Sequence, residues 1–352
     1  MRRPLAVGGG ADRCTRGRAR SPGRIGIMRT LIISRPDRVG DVVISTSCLA
    51  PIRRQYPGAK IYFVAAERMR PLLEGHPFLA GFISLSSDLT AEFRRIDASA
   101  IVHLHPHKEC YQAARRAGVP IRIGYPARFL NRHLTRVIAE RRKEGLLHEA
   151  AYNFDLLRPL KITPPEKFAP AVQLPESGLH ALQRKLPWPL ASTRFAVLGP
   201  SAHSKFARWP VERFLGVARR LQKEFDLLPI FIGANANDSI PPGASNYLNL
   251  AGQTDLAELG WLLRHARVLV TNDTGPAHLA AAVGCPQVTL FGRNAPLYGQ
   301  VRWRPLSDKA VVLAKPLSRK PFEGRAAHWQ RCFAAISEEE VAAAVRQILA
   351  TY

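Results

Sequence analysis

Between residues 28 and 124, short apolar runs alternate with stretches in which apolar residues recur at helical spacing. The runs at 30–34, 60–65, 81–85, 100–104 and 121–124 predict strands, and the stretches at 42–56, 67–75 and 108–117 predict helices. The same alternation resumes at 194–198 and continues through a helix at 211–225, a strand at 228–233, a helix at 255–265, a strand at 267–271, a helix at 276–283 and a strand at 287–291. A last helix opens at Ser337. Glu340 three residues on completes a capping-box signature, and Val341, Val345, Ile348 and Leu349 share one face. Strands that alternate with helices imply parallel sheets covered on both faces. Between the two series stand Pro159, Pro164, Pro165, Pro170, Pro175, Pro187 and Pro189. Proline fixes φ and removes a donor, so this passage reads as the crossing between domains. The pattern predicts two doubly wound α/β domains, 28–175 and 190–336, a terminal helix over 337–352, and a cleft between the domains.

Composition agrees with this division. A chain of 352 residues has room for two cores, and 46% hydrophobic with 22% charged residues excludes a wholly disordered chain. The five cysteines, Cys14, Cys48, Cys110, Cys285 and Cys332, form no CxxC pair, which argues against a zinc module or a disulfide scaffold. No run of about 18 apolar residues is present, so no transmembrane helix is expected. Charge changes the picture more. The formal net charge is +24, and residues 1–27, with seven arginines against one aspartate, hold +6 of it. That leader has no apolar periodicity and reads as a disordered arginine-rich segment, either translation from a start codon placed upstream of Met28 or a basic arm. Removing its +6 from +24 leaves +18 on the rest, an excess that favours an anionic ligand or surface.

Three loops carry candidate chemistry. In Val270-Thr-Asn-Asp-Thr-Gly-Pro-Ala-His-Leu279 a strand ends and a helix begins, with Pro276 suited to a first turn and Gly284 to the left-handed closure. Free N–H groups at such a helix start, beyond the carboxyl end of a strand, favour a phosphate. In Ser34-Arg-Pro-Asp-Arg-Val-Gly-Asp41 the single Gly40 does not make a dinucleotide fingerprint. Asp41 there is a candidate general base or a cap for a helix starting at Val42, and the residues alone leave both open. In Gly199-Pro-Ser-Ala-His-Ser-Lys-Phe-Ala-Arg-Trp-Pro210, the hydroxyls with His203, Lys205 and Arg208 suit a diphosphate. His103, His105 and His107 alternate along one strand, but no fourth ligand is near and Pro106 interrupts them, so no metal is expected. The arginines from Arg115 to Arg142, with Lys143, make the first domain a basic surface.

Asp37-Arg-Val-Gly-Asp41, Arg208-Trp-Pro210 and Asn272-Asp-Thr-Gly-Pro-Ala-His-Leu279, in that order, resemble the lipopolysaccharide heptosyltransferases of glycosyltransferase family 9. Arg122-Ile-Gly-Tyr125, His148-Glu149 and Cys332 are weaker matches, and Ala207 stands where the family usually has lysine. The resemblance covers Met28 to the C-terminus. It implies a GT-B architecture: two Rossmann-like domains facing a central cleft, acceptor domain first and nucleotide-sugar domain second, with the terminal helix returning to the first. It implies inverting transfer of heptose from an ADP-activated donor to the lipopolysaccharide inner core, with Asp41 as base. Ser201, Ser204, Lys205, Arg208, Asp273, Thr274, Gly275 and His278 are then the expected donor contacts, and Arg35, Arg38 and Lys108 the expected acceptor contacts. Its partners would be a nucleotide-sugar donor and an anionic glycolipid acceptor, with no nucleic acid. Its setting would be cytoplasmic, peripheral on the inner face of the inner membrane. No cofactor is called for, and a divalent ion beside the donor is left open. The alternatives are a family 9 enzyme using another nucleotide sugar, or a non-catalytic binder of anionic glycolipid or nucleic acid on the same fold.

Overall fold

The computed structural model describes residues 28–202, 206, 208–235, 247–292, 295, 297–320 and 322–352. The leader expected over residues 1–27 lies outside them. The first sheet contains β1 (Thr30–Ser34), β2 (Lys60–Ala65), β3 (Gly81–Ser84), β4 (Ala100–His103), β5 (Ile121–Gly124) and β6 (Arg136–Val137), in the order β3-β2-β1-β4-β5-β6. The second contains β7 (Phe195–Gly199), β8 (Leu228–Phe231), β9 (Leu248–Asn249), β10 (Val268–Asn272), β11 (Gln287–Phe291) and β12 (Ala310–Ala314), in the order β9-β8-β7-β10-β11-β12. Every pairing is parallel, and the two sheets repeat one doubly wound topology. Central strands such as β1, β7 and β10 are buried along their whole length because helices cover both faces.

The first domain carries α1 (Val39–Ser45), α2 (Leu49–Gln55), α3 (Arg70–Leu73), α4 (Leu89–Arg95), α5 (Lys108–Arg116) and α6 (Glu149–Leu157). After it come α7 (Glu176–Lys185), α8 (Val211–Phe225), α9 (Leu256–His265), α10 (Gly275–Val283), α11 (Gln300–Trp303), α12 (Arg325–Ala334) and α13 (Glu338–Thr351). The expected capping box of α13 is present, Ser337 Oγ accepting from Glu340 N at 3.2 Å. Gly284 closes α10 at φ 79° as its sequence position suggested.

One feature adds to the expected crossing, and one overturns an expectation. The proline-rich crossing contains α7, which fits the proline-free window between Pro175 and Pro187 and packs on α9. The resemblance implied a terminal helix returning to the first domain. Instead α13 packs on α8 and on β10–β12, because Val341, Val345 and Ile348 fill the apolar cluster of the second domain's outer face.

The domains meet through packed elements. One apolar cluster runs from Leu31, Leu72 and Leu73 through Leu174 and Leu182 to Phe195, Leu262 and Leu279. The first turns of α1 and α10 lie against each other, and two glycines permit it. A Cβ at Gly40 would sit 2.5 Å from His278 Cδ2, and one at Gly275 would sit 3.2 Å from Val39 Cβ.

Candidate active site

In a sheet of this topology ligands bind beyond the carboxyl ends of the strands where the winding reverses. The reversals lie between β1 and β4 and between β7 and β10. The loops after β1, β4 and β10 converge on one cleft of about 530 Å³ between the domains, lined by Asp41 and His105 on one side and by Asp273 and Thr274 on the other.

The first domain's half is organised by Arg35, which follows β1 and is 2% exposed. Its Nε donates to Asp37 Oδ1 at 2.8 Å, and its Nη1 to Leu104 O at 3.2 Å, Glu149 Oε1 at 3.0 Å and Asn153 Oδ1 at 3.2 Å. Its Nη2 donates to Asp41 Oδ1. Asp41 does not cap a helix beginning at Val42. The helix begins at Val39, so Asp41 stands inside its first turn, with its side chain 14% exposed at the cleft.

Glu149, the first residue of α6, is fully buried. Besides Arg35 it receives Arg142 Nη2 at 2.9 Å. From the second domain it receives Arg302, through Nε at 2.9 Å and Nη2 at 2.7 Å. Three carboxylates (Asp37, Asp41, Glu149) thus face three guanidinium groups (Arg35, Arg142, Arg302) in one cluster. Burial opposes the charge of Glu149, and the three arginines overcome it, so its pKa is lowered. Asp37 goes the other way: burial outweighs the attraction of Arg35 and pushes it up to about 6. His105, 3.5 Å from Asp37, is pushed down to about 4 by burial and by Arg35 and Arg142. A second link crosses between the domains beside Glu149. His148 Nδ1 accepts from Ala150 N at 3.1 Å, which leaves Nε2 to donate to Arg304 O at 2.9 Å.

In the second domain Asn272 is a clamp. Its Oδ1 accepts from Trp209 N at 2.9 Å and its Nδ2 donates to Pro200 O at 2.8 Å, so it holds both ends of the β7–α8 loop. Buried Trp209 donates from Nε1 to Ile336 O at 3.0 Å. Thr274 is the extended N-cap of α10, and Gly275 follows at the cleft. His278 packs on Gly40, and burial followed by His148 pushes its pKa down to about 3, so it is neutral at physiological pH.

Of the expected residues, Arg35, Arg38, Asp41, Asp273, Thr274, Gly275 and His278 all line the cleft. Arg35, expected at the acceptor, has all three nitrogens engaged by protein groups because it is enclosed by Asp37, Asp41 and α6. Ser201 and Arg208 stand on the β7–α8 loop and Lys108 on the exposed start of α5, outside that lining. Ser204 and Lys205 lie outside the described residues. Sequence reasoning quoted Asp37 and Glu149 only within matching motifs, with no role at the site, and did not single out Arg302. It placed Arg142 on the basic surface, whereas Arg142 is buried 4.4 Å from the Tyr125 ring centroid. The three alternating histidines diverge: His103 is buried against Tyr111, and His105 turns to Asp37. Among the described residues no group of three or more His, Cys, Asp or Glu could hold a metal ion.

Residues 113–329 match the model of glycosyltransferase family 9 (heptosyltransferase). Lipopolysaccharide heptosyltransferase 2 of Salmonella typhimurium is 27% identical over 322 residues, covering 81% of this chain and 88% of that protein. Lipopolysaccharide heptosyltransferase 3 of Escherichia coli is 23% identical over 341 residues, covering 88% and 95%. Among solved structures, a family 9 glycosyltransferase from Veillonella parvula superposes with TM-score 0.76 at 20% identity, covering 92% of this chain and 98% of that one. The E. coli ADP-heptose lipopolysaccharide heptosyltransferase II superposes with TM-score 0.75 at 22% identity, covering 92% and 99%.

Proposed function

This chain belongs to glycosyltransferase family 9, the heptosyltransferases, and from that premise we propose that it transfers heptose from ADP-heptose to the lipopolysaccharide inner core with inversion. The observation that carries the reading is the position of Asp41, a partly exposed carboxylate at the reversal of the first sheet, opposite the start of α10. Asp41 takes the proton of the acceptor hydroxyl as the oxygen attacks the anomeric carbon. Arg35 holds Oδ1, which leaves Oδ2 for that proton. The bond from the anomeric carbon to the diphosphate breaks in the same displacement, and ADP leaves with the electron pair. Asp273, Thr274 and Gly275 receive the donor, with the diphosphate at the N-terminus of α10 and Arg208 in the adjoining loop. Arg38, exposed at the cleft, meets the acceptor. Arg35 acts through Asp41, as a positioning residue. The excess of basic residues suits an anionic glycolipid at the cytoplasmic face of the inner membrane. The names of the relatives above, lipopolysaccharide transferases and an ADP-heptose transferase, support the same donor and acceptor.

The test is transfer by the Asp41→Asn enzyme, expected to fall about a hundredfold to ten-thousandfold with ADP affinity retained. Unchanged turnover removes Asp41 from the mechanism. Calorimetric titration with ADP, UDP and GDP is expected to favour ADP, and preference for another nucleotide overturns the donor.

A further inference from the structure

Folding gives no reason for a phenylalanine at position 129. The side chain is 73% exposed, and the backbone sits at φ 61°, a left-handed conformation that is unfavourable for a bulky residue. The guanidinium of Arg128 lies 4.9 Å from its ring centroid. Phe129 has company: among the described residues, four of the nine large apolar side chains left exposed fall in 129–147, namely Phe129, Val137, Leu146 and Leu147. Residues 128–147 also expose Arg128, Arg132, Arg141 and Lys143 beside Glu140 and Glu144, the last of these paired with Arg141 at 3.2 Å. Arg132 and the neighbouring Arg115, Arg116 and Arg122 also gather around buried His133, whose pKa is lowered by burial and then by those four charges.

These side chains stand on one margin of the fold. β6 is the edge strand of the first sheet. Tyr125, from which the Phe129 loop departs, donates its hydroxyl to Tyr152 O at 2.6 Å. The hydroxyl of Tyr152 accepts from Leu146 N at 3.1 Å and Leu147 N at 3.2 Å. Both apolar tips are therefore rooted on the same tyrosine pair. The margin also reaches the cleft, since Glu140 and Arg142 line it and His148 adjoins Leu147.

We propose that this margin is the surface on which the enzyme lies against an anionic lipid bilayer. Phe129, Val137, Leu146 and Leu147 enter the boundary between headgroups and acyl chains, while Arg128, Arg132 and Lys143 meet lipid phosphates. Apolar tips among arginines, three aliphatic and one aromatic, match that boundary, which is apolar below and anionic above. A nucleic-acid backbone offers them only the charge. The inference rests on the reading that the acceptor is carried on a lipid, and it adds how the acceptor arrives, since a bilayer at this margin brings it to the cleft beside Asp41.

The experiment compares the full chain with its Phe129→Asn/Leu146→Ser/Leu147→Ser variant, so residues 1–27 contribute equally to both. Co-sedimentation uses phosphatidylglycerol–phosphatidylcholine vesicles, pure phosphatidylcholine vesicles and a duplex DNA fragment. The wild type is expected on the anionic vesicles, with the variant about tenfold weaker or more. The melting midpoint is expected to stay or rise, because asparagine tolerates the left-handed backbone. Transfer to a delipidated core oligosaccharide is expected to be unchanged, and transfer to acceptor embedded in vesicles to fall. No binding of the wild type to anionic vesicles, equal binding by the variant, or tighter binding to DNA each overturns the proposal. The delipidated assay reads the transferase reaction separately, so failure of that reaction is distinguishable from failure of the docking surface.

Discussion

Glu149→Gln removes a charge from the centre of the cleft's ionic cluster while changing its shape very little. The native cluster balances Asp37, Asp41 and Glu149 against Arg35, Arg142 and Arg302, so the variant buries one positive charge without a counterpart. The ion pairs that Glu149 makes span 2.7 to 3.0 Å, and its side chain is fully buried. A unit-charge pair at that range is worth about 6 kcal/mol at an effective dielectric constant near 20. Much of this was offset by desolvation when the pair formed, but removing one partner leaves that cost behind. The expected destabilisation is about 3–5 kcal/mol. Urea unfolding followed by circular dichroism should show it, and thermal unfolding should show a midpoint lower by roughly 4–7 °C for a chain of this length. The pH dependence has a definite sign. The folded pKa of Glu149 is depressed below 4.5, so its contribution is present above the unfolded value and lost as pH falls through the folded one. The gap between wild type and variant should therefore close in acid. A neutral change in the exposed Glu67–Arg70 pair, Glu67→Gln, should leave the midpoint nearly unmoved. If Glu149→Gln behaves like Glu67→Gln, the cluster is solvated and the reasoning fails.

Gly40→Ala should force α1 and α10 apart, at a cost of about 1–3 kcal/mol, because the added Cβ falls 2.5 Å from His278 Cδ2. Transfer should drop with it; a Gly40→Ala enzyme of normal rate and stability would show that this approach is dispensable. Asn272→Ala strands the buried Trp209 N–H and Pro200 carbonyl, an expected loss of about 1–3 kcal/mol. Calorimetry should also show weaker nucleotide binding as the β7–α8 loop loosens. The kcat/KM profile should rise through about pH 6 as Asp37 ionises and fastens Arg35 Nε, and Asp37→Asn should abolish that limb. The same raised pKa means that Asp37 favours the folded state below its unfolded value near 3.8 and that this contribution is lost as pH rises through 6.

Most of the two sheets is legible in the sequence because parallel strands buried on both faces are written as continuous apolar runs. β1, β2, β7, β10 and β11 fall on or within a residue of the runs that mark them. The elements missed lack that signature for identifiable reasons. β6 and β9 are two residues long, and β12 is a half-buried edge strand. α4 buries only Leu89 and Phe93, and its start is set by Asp88, which accepts from Thr90 N and Ala91 N. α6 is buried around most of its circumference, so it has no polar face to mark a helical period. The prolines around α7 exclude regular structure throughout the passage, but they flank the helix and none falls within it.

The site divides along a different line. Asp41, Asp273, Thr274 and Gly275 can be read because each sits in a strand-to-helix turn, where a few consecutive residues determine what is presented. Glu149, Arg142 and Arg302 cannot, because their roles exist only in pairings across the chain. Arg35 and Glu149 are 114 positions apart, and Arg302 and Glu149 are 153 apart. No local period records such contacts, and an arginine paired in the interior has the same letter as one in solvent. Arg142 therefore reads, with its neighbours, as part of the outer surface. The distinction matters for the charge as well. The buried cluster sums to zero, so it absorbs none of the +18 carried by residues 28–352. That excess is displayed outward, with one concentration at the margin where Phe129 and Leu146 are exposed. A charge excess alone would suit any polyanion. The apolar side chains among the arginines are what narrow the partner to a surface with an apolar interior.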